Sequence, residues 1–269
     1  MKSLKLALAA AAIFALAACG SSASPDTDNA AGTDDSHANE NSSNSANVRS
    51  PEVKDFFDSY AGSNPEDMRA AAKHAATDSP AQKYLTHQAI NVEANDAMGY
   101  ERYVQETSYK DDSVSICYEG DDCAEYSELA FEDGNLSSFS VEGKDISDRV
   151  TLGDGTVVKY KEDAGFEVLS AYHSASDNLI AVVRFYAYDR PIDFSYTATY
   201  RKPSGQQIES VDTDLPSRVA SNSNQDAAVV FPNSENGGDL HLKLSNADDE
   251  EEVAGDHIFD TVEVPLPQD

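Results

Sequence analysis

Tryptophan is absent, and cysteine occurs only three times in 269 residues. The first absence leaves the 10 Phe and 13 Tyr to supply the aromatic bulk of any core. The second excludes the small secreted scaffolds held together by many disulfides, and no Cys-x-x-Cys pair offers a zinc or thiol-redox motif. Positive charge is scarce as well, with 19 Lys+Arg against 49 Asp+Glu and a net charge of −30. A field of that sign repels nucleic acid and anionic lipid and favours basic partners. Also missing are Gly-x-Ser-x-Gly, a phosphate-cradling Gly-x-x-x-x-Gly-Lys, a dinucleotide fingerprint and the histidine spacing of metalloproteases. The six histidines, His37, His74, His87, His173, His241 and His257, are scattered and read as surface or packing residues. No catalytic, cofactor-binding or metal site is predicted, because carboxylates are too numerous for any pair to stand out.

What is present begins at the N-terminus. Lys2 and Lys5 precede an apolar run from Leu6 to Ala18, which stops at a small-residue site before Cys19. A basic n-region, a short apolar core and small residues describe a secretory signal rather than a spanning helix, which needs about 20 apolar residues. Beyond this leader no apolar run is long enough to span a bilayer. Leu16-Ala17-Ala18-Cys19 resembles the lipobox of bacterial lipoproteins. That resemblance implies cleavage after Ala18 and acylation of Cys19. At about 0.8 kcal/mol per buried methylene, two acyl chains hold a protein stably at a membrane where one is marginal. The chain is therefore expected on the extracytoplasmic face, tethered through residues 19–50.

That tether is built mainly from Ser, Asn, Asp, Ala, Gly and Thr, with Val48 its only larger aliphatic residue and no Phe, Tyr or Trp. Such a composition cannot bury enough surface to offset its ordering entropy and predicts a disordered linker. As a flexible coil it reaches roughly 30 Å. Its Asp26, Asp28, Asp34 and Asp35 do not make an EF-hand, since Ala30, Ala31 and His37 occupy positions that require a carboxylate, Gly and Glu. With Cys19 assigned to the anchor, Cys117 and Cys123 remain, flanking a short polar loop. In an exported chain they are expected to pair and close a hairpin. A structural staple fits this spacing better than a redox pair or half of a metal site.

Residues 51–145 open with three helix starts of one kind, Ser50-Pro51, Asn64-Pro65 and Ser79-Pro80. Each joins a side-chain oxygen able to accept an orphan amide to a proline that has none to lose. Gln82 stands in a capping-box position. Helical spacing follows in Val53, Phe56, Phe57 and Tyr60, in Met68, Ala71, Ala72 and Ala75, and in Leu85, Ala89 and Val92, with Gly62 and Gly99 as stops. From Tyr100 the period becomes two, with strands expected over 102–109, 113–118, 124–131 and 136–141. Three helices packed on an antiparallel meander are an α+β domain. In element order the unit resembles NTF2-like domains, which implies a pocket between helices and sheet, although here no helix interrupts the strands.

Residues 150–267 alternate as strands. Phe166, Val168, Ser170 and Tyr172 are expected on one face, and further strands are expected over 156–161, 179–186, 194–201, 227–231, 240–244 and 257–264. About seven strands with turn-rich gaps predict a β-sandwich. Leu179–Tyr188 followed by an aromatic-rich partner resembles the Ig-like domains of bacterial surface lipoproteins, without the cysteine and tryptophan markers of antibody domains. Gly153-Asp154-Gly155 reads as a hairpin turn, Asp248–Glu252 as a solvated loop or a docking site for a basic partner, and Tyr186, Tyr188, Tyr196 and Tyr200 as core or rim. The expectation is a monomeric, non-catalytic binding module at the cell envelope, with membrane contact through the anchor and an envelope protein or ligand as partner. The alternative is a carrier or enzyme that uses a pocket in the α+β part.

Overall fold

All three proline-led starts form helices in the computed structural model, which describes residues 48–118, 122–195, 197–211, 215–246 and 260–267. They are α1 (Pro51–Ala61), α2 (Pro65–Ala72) and α3 (Pro80–Ala97). The caps work as their chemistry requires. Ser50 Oγ accepts from the Val53 amide at 3.2 Å, Asn64 Oδ1 from Glu66 at 3.1 Å and Ser79 Oγ from Gln82 at 3.2 Å. The capping box is displaced by one residue, because Gln82 Oε1 accepts from the Asp78 amide rather than from Ser79. Val48, placed in the tether by composition, is buried in the core beneath α1. Cys19, Tyr196, Asp248–Glu252, His37 and His257 lie outside the described residues.

The expected meander follows: β1 (Glu106–Tyr109), β2 (Val114–Cys117), β3 (Cys123–Glu132), β4 (Asn135–Val141) and a short β5 (Lys144–Asp145), antiparallel in that order. Its inner face, with Val114, Ile116, Tyr126, Phe139 and Val141, packs on the helices in one core with Phe56, Phe57, Met68, Tyr84 and Leu85. Edge-on aromatic contacts dominate there, Phe57 lying 5.6 Å and Tyr84 5.2 Å from Phe139 between ring centres. These rings fill the space between helices and sheet in which a pocket was expected.

The C-terminal part is a sandwich of two sheets. One contains β6 (Val150–Leu152), β7 (Val157–Tyr160), β8 (Ala164–His173), β9 (Leu179–Ala187) and β14 (Ser223–Phe231), ordered β14-β9-β8-β6, with β7 also on β8. The other contains β10 (Ile192–Phe194), β11 (Thr199–Arg201), β12 (Gln207–Glu209), β13 (Arg218–Val219), β15 (Asp239–Asn246) and β16 (Asp260–Pro265), ordered β12-β11-β15-β10-β13, with β16 on the free side of β15. Phe166, Phe185, Phe194, Tyr200 and Phe231 centre the core between them, doing the filling that the missing tryptophan leaves open. The fold is thus α+β with sandwich-like sheets.

Three details depart from the sequence reading. The strand expected over 194–201 is two strands, because pairing with β15 shifts by two residues between Phe194↔Leu244 and Thr199↔His241. Gly153-Asp154-Gly155 is not a hairpin turn, since β6 and β7 both pair with β8 and the segment runs along that strand's edge. Lastly, β8 carries a bulge between Val168 and Ser170. An inserted residue reverses the alternation beyond it. Phe166, Val168 and Ala171 therefore face the sandwich core, while Tyr172 belongs to the helix-side core.

The described residues fall in one compact unit, and α3 is the reason. It touches β4 of the meander and also β6, β8, β9 and β14 of the sandwich. Val150 and Tyr172 accordingly sit in the same core as α1 and the meander. Lys144 on β5 adds a polar tie, its ammonium lying 2.8 Å from Asp177 in the β8–β9 turn, where Arg149 also reaches at 3.4 Å.

Candidate functional site

A fully buried polar contact lies where α3 crosses β8. His87 and Ser170 are both 0 % exposed, and Nδ1 of His87 lies 2.9 Å from Ser170 Oγ. Burial pushes the imidazole down to about 3, so it is neutral at ordinary pH, and its Nε2 is buried with no hydrogen-bond partner among the described residues. Eighty-three positions separate the pair in sequence, and the β8 bulge turns Ser170 to this side. A hydroxyl at this distance from a neutral imidazole is the arrangement of a nucleophile and its base. A nucleophile must also reach substrate. Both residues are sealed, which makes the contact a polar pin between helix and sheet.

Around it stand tyrosines. The His87 ring lies 5.5 Å from Tyr172, Tyr172 5.3 Å from Tyr84, and the Tyr84 and Tyr126 hydroxyls 3.4 Å apart. Tyr60 on α1 packs edge-on against Tyr84 and Tyr126, at 5.8 and 6.1 Å between ring centres. Burial raises the phenols of Tyr84 and Tyr126 well above the ordinary value and that of Tyr172 to about 12. These phenols are neutral at ordinary pH.

An open cleft of about 330 Å³ lies on the other side of α1, lined by Asp55, Asp58, Ser59 and Gly62 with Asp67 and Ala70 of α2. Asp58 is held in place by Thr107 Oγ1 at 2.5 Å and by the Tyr109 hydroxyl at 2.7 Å, both donated from the meander's edge strand. Burial and the Asp58 carboxylate together raise the Tyr109 phenol. Tyr103 and Val104, 54 % and 79 % exposed, follow on the segment that Ser63 Oγ and the Ala61 carbonyl pin beside α1. The cleft thus offers negative charge from Asp55, Asp58 and Asp67. Among the described residues no group of three or more His, Cys, Asp and Glu side chains is arranged to hold a metal ion.

Of the residues singled out in the sequence, Cys117 and Cys123 are joined by a disulfide, at a directly opposed pair of β2 and β3. His74 is exposed, whereas His173 and His241 are partly buried beside Asp177 and Glu263 at 3.5 and 3.8 Å. Tyr200 is core, its hydroxyl donating to the Glu235 carbonyl at 2.6 Å and accepting from the Gly238 amide at 2.8 Å; Tyr186 and Tyr188 stack at 6.3 Å. The sequence reading missed the His87–Ser170 pair and the α1–α2 cleft. No helix among the described residues is long and apolar enough to cross a membrane. Comparison with protein-family models, with curated proteins and with solved structures finds no match to this chain.

Proposed function

We propose that this chain is a bacterial lipoprotein, anchored through acyl groups on Cys19, that displays a rigid, non-catalytic binding module on the extracytoplasmic side of a membrane. One observation carries the reading, the Leu16-Ala17-Ala18-Cys19 sequence behind Lys2, Lys5 and the apolar run. The interior supports the non-catalytic part. Phe56, Phe57, Tyr84 and Phe139, each at most 2 % exposed, fill the helix–meander space, and the one Ser–His contact described is enclosed. An Ig-like reading of the sandwich is supported by two antiparallel sheets packed face to face, although β7, β8 and β9 run side by side rather than in Ig order. In the NTF2-like reading the three helices would close the meander with side chains in place of a ligand. The net charge of −30 favours a cationic partner, and the acidic cleft between α1 and α2 is where a basic side chain of that partner would dock.

The anchor is tested by feeding cells a labelled fatty acid and following the wild-type chain beside Cys19→Ser. Label on the wild type alone, with a mature N-terminus at Cys19, is expected; an unlabelled wild type removes the anchoring. Binding is tested by crosslinking on intact cells. A specific envelope protein is expected from the wild type and loses intensity in Asp55→Asn/Asp67→Asn.

A further inference from the structure

In its sheet β1 is an edge strand, paired with β2 alone. The Lys110 amide donates to the Ser113 carbonyl at 2.9 Å, which sets the phase of that ladder. Residues of an antiparallel pair turn their N–H and C=O groups alternately toward and away from the partner strand. Lys110, Ser108 and Glu106 therefore bond β2, while Tyr109, Thr107 and Gln105 turn theirs outward. Gln105 is taken, its amide donating to the Ala61 carbonyl at 2.9 Å. The outward backbone groups of Thr107 and Tyr109 have no backbone partner among the described residues. Such an edge is a template for another strand. The opposite edge of the same sheet is blunted, since β5 is two residues long, and the outer edge of β16 presents Pro265, which has no N–H to offer.

Side chains beside the edge say what an added strand would carry. Three large apolar side chains are exposed among the described residues, and two of them, Tyr103 and Val104, directly precede β1. The Thr107 and Tyr109 side chains both donate to Asp58, so the acidic cleft of Asp55, Asp58 and Asp67 adjoins the strand. The cations nearby are engaged, Arg102 with Asp96, Lys110 with Glu125 at 3.3 Å, and Lys54 over the Tyr109 ring at 5.6 Å. We propose that β1 is a docking edge for an extended, cationic segment of a protein partner, which joins the meander as an added strand. Its backbone bonds that of Thr107 and Tyr109, an apolar side chain meets Tyr103 and Val104, and a lysine or arginine reaches Asp58. This gives the binding mode of the cationic partner inferred above and rests on that reading. A second copy of this chain fits the edge poorly, because each copy carries a net charge of −30 and would bring its own exposed Glu106.

The test titrates the purified chain, by fluorescence anisotropy, with a labelled heptapeptide of alternating lysine and valine. Two control peptides accompany it, one N-methylated at alternate amides, which keeps the charge but cannot extend a ladder, and one with glutamate for lysine. Each control is expected to bind at least about tenfold more weakly, the scale of one or two lost hydrogen bonds. Thr107→Pro removes an outward N–H without touching the bonds to β2 and should weaken binding by a similar factor. Thr107→Val, which loses only the hydroxyl contact with Asp58, should weaken it less. In the wild type, bound peptide should slow amide exchange at Thr107 and Tyr109 and leave β16 unchanged. The docking edge is overturned if the N-methylated peptide binds as tightly as its parent, if protection appears elsewhere than on β1, or if sedimentation shows a dimer that Thr107→Pro disperses. An envelope partner still captured on intact cells while the peptide fails to bind would sink the edge alone and leave the binding-module reading standing.

Discussion

His87 ties its own titration to the stability of the fold. In the unfolded chain it takes up a proton near its ordinary value of 6.5, whereas in the folded protein burial holds it down to about 3. The unfolded state thus binds more protons between those two values, and stability falls as pH is lowered through that window. From pH 7 to pH 4.5 the loss attributable to this residue is roughly 2–3 kcal/mol. His87→Gln, which does not titrate, should give a flatter pH dependence of urea unfolding by about that amount; a superimposable slope would remove the histidine as the cause. Ser170→Ala leaves the imidazole without its only described partner and should cost about 1–3 kcal/mol in the same assay. Gly153 is the third sensitive position. Its amide donates to the Leu169 carbonyl at 2.9 Å, and a Cβ there would lie 1.8 Å from the Val168 carbonyl oxygen. Backbone cannot swing aside as a side chain can, so Gly153→Ala should cost at least about 2 kcal/mol and loosen the bulge beneath it. Faster hydrogen exchange confined to β6 and β8 would be its signature.

At the scale of elements, the helices were legible because their starts are written in local chemistry. Ser79 accepts from Gln82 and is itself buried, so Ser79→Ala should lower thermal stability by about 1 kcal/mol, with α3 fraying first in hydrogen exchange. The meander was legible too, through its period and its polar turns. The sandwich was readable in outline but not in facing. Ser170 and Tyr172 keep the even numbering of Phe166 and Val168, and only the register with β9 reveals that they point the other way. A bulge leaves no residue signature of its own when the inserted residue is an ordinary leucine. That single insertion also hid the His87–Ser170 contact, which pairs an unremarkable helix position with a serine assigned to the wrong face. The α1–α2 cleft was hidden for another reason, since Asp55, Asp58 and Asp67 are three among 49 acidic residues and only helix packing brings them together. Gly153 read as a turn because Gly-Asp-Gly favours one locally, whereas tertiary pairing with β8 sets its actual path.

Over the whole molecule, charge and layering decide behaviour. A net charge of −30 destabilises the compact state by self-repulsion, and salt screens that field over about 10 Å at 0.1 M. The melting temperature should therefore rise on adding sodium chloride from low ionic strength, while association with a cationic partner should weaken over the same range. A protein whose melting point ignores salt would show that the surplus charge is too dispersed to matter. The order of layers has its own effect. Because α3 lies against the meander on one side and against β8 and β14 on the other, each half borrows a wall from its neighbour. Severing the chain near Ser147, where the halves divide in sequence, would strip a roof from the sandwich fragment and expose Val150, Tyr172 and Ile180 to water. Neither piece could then be transplanted or trimmed alone, and a lineage carrying this protein would have to inherit it whole.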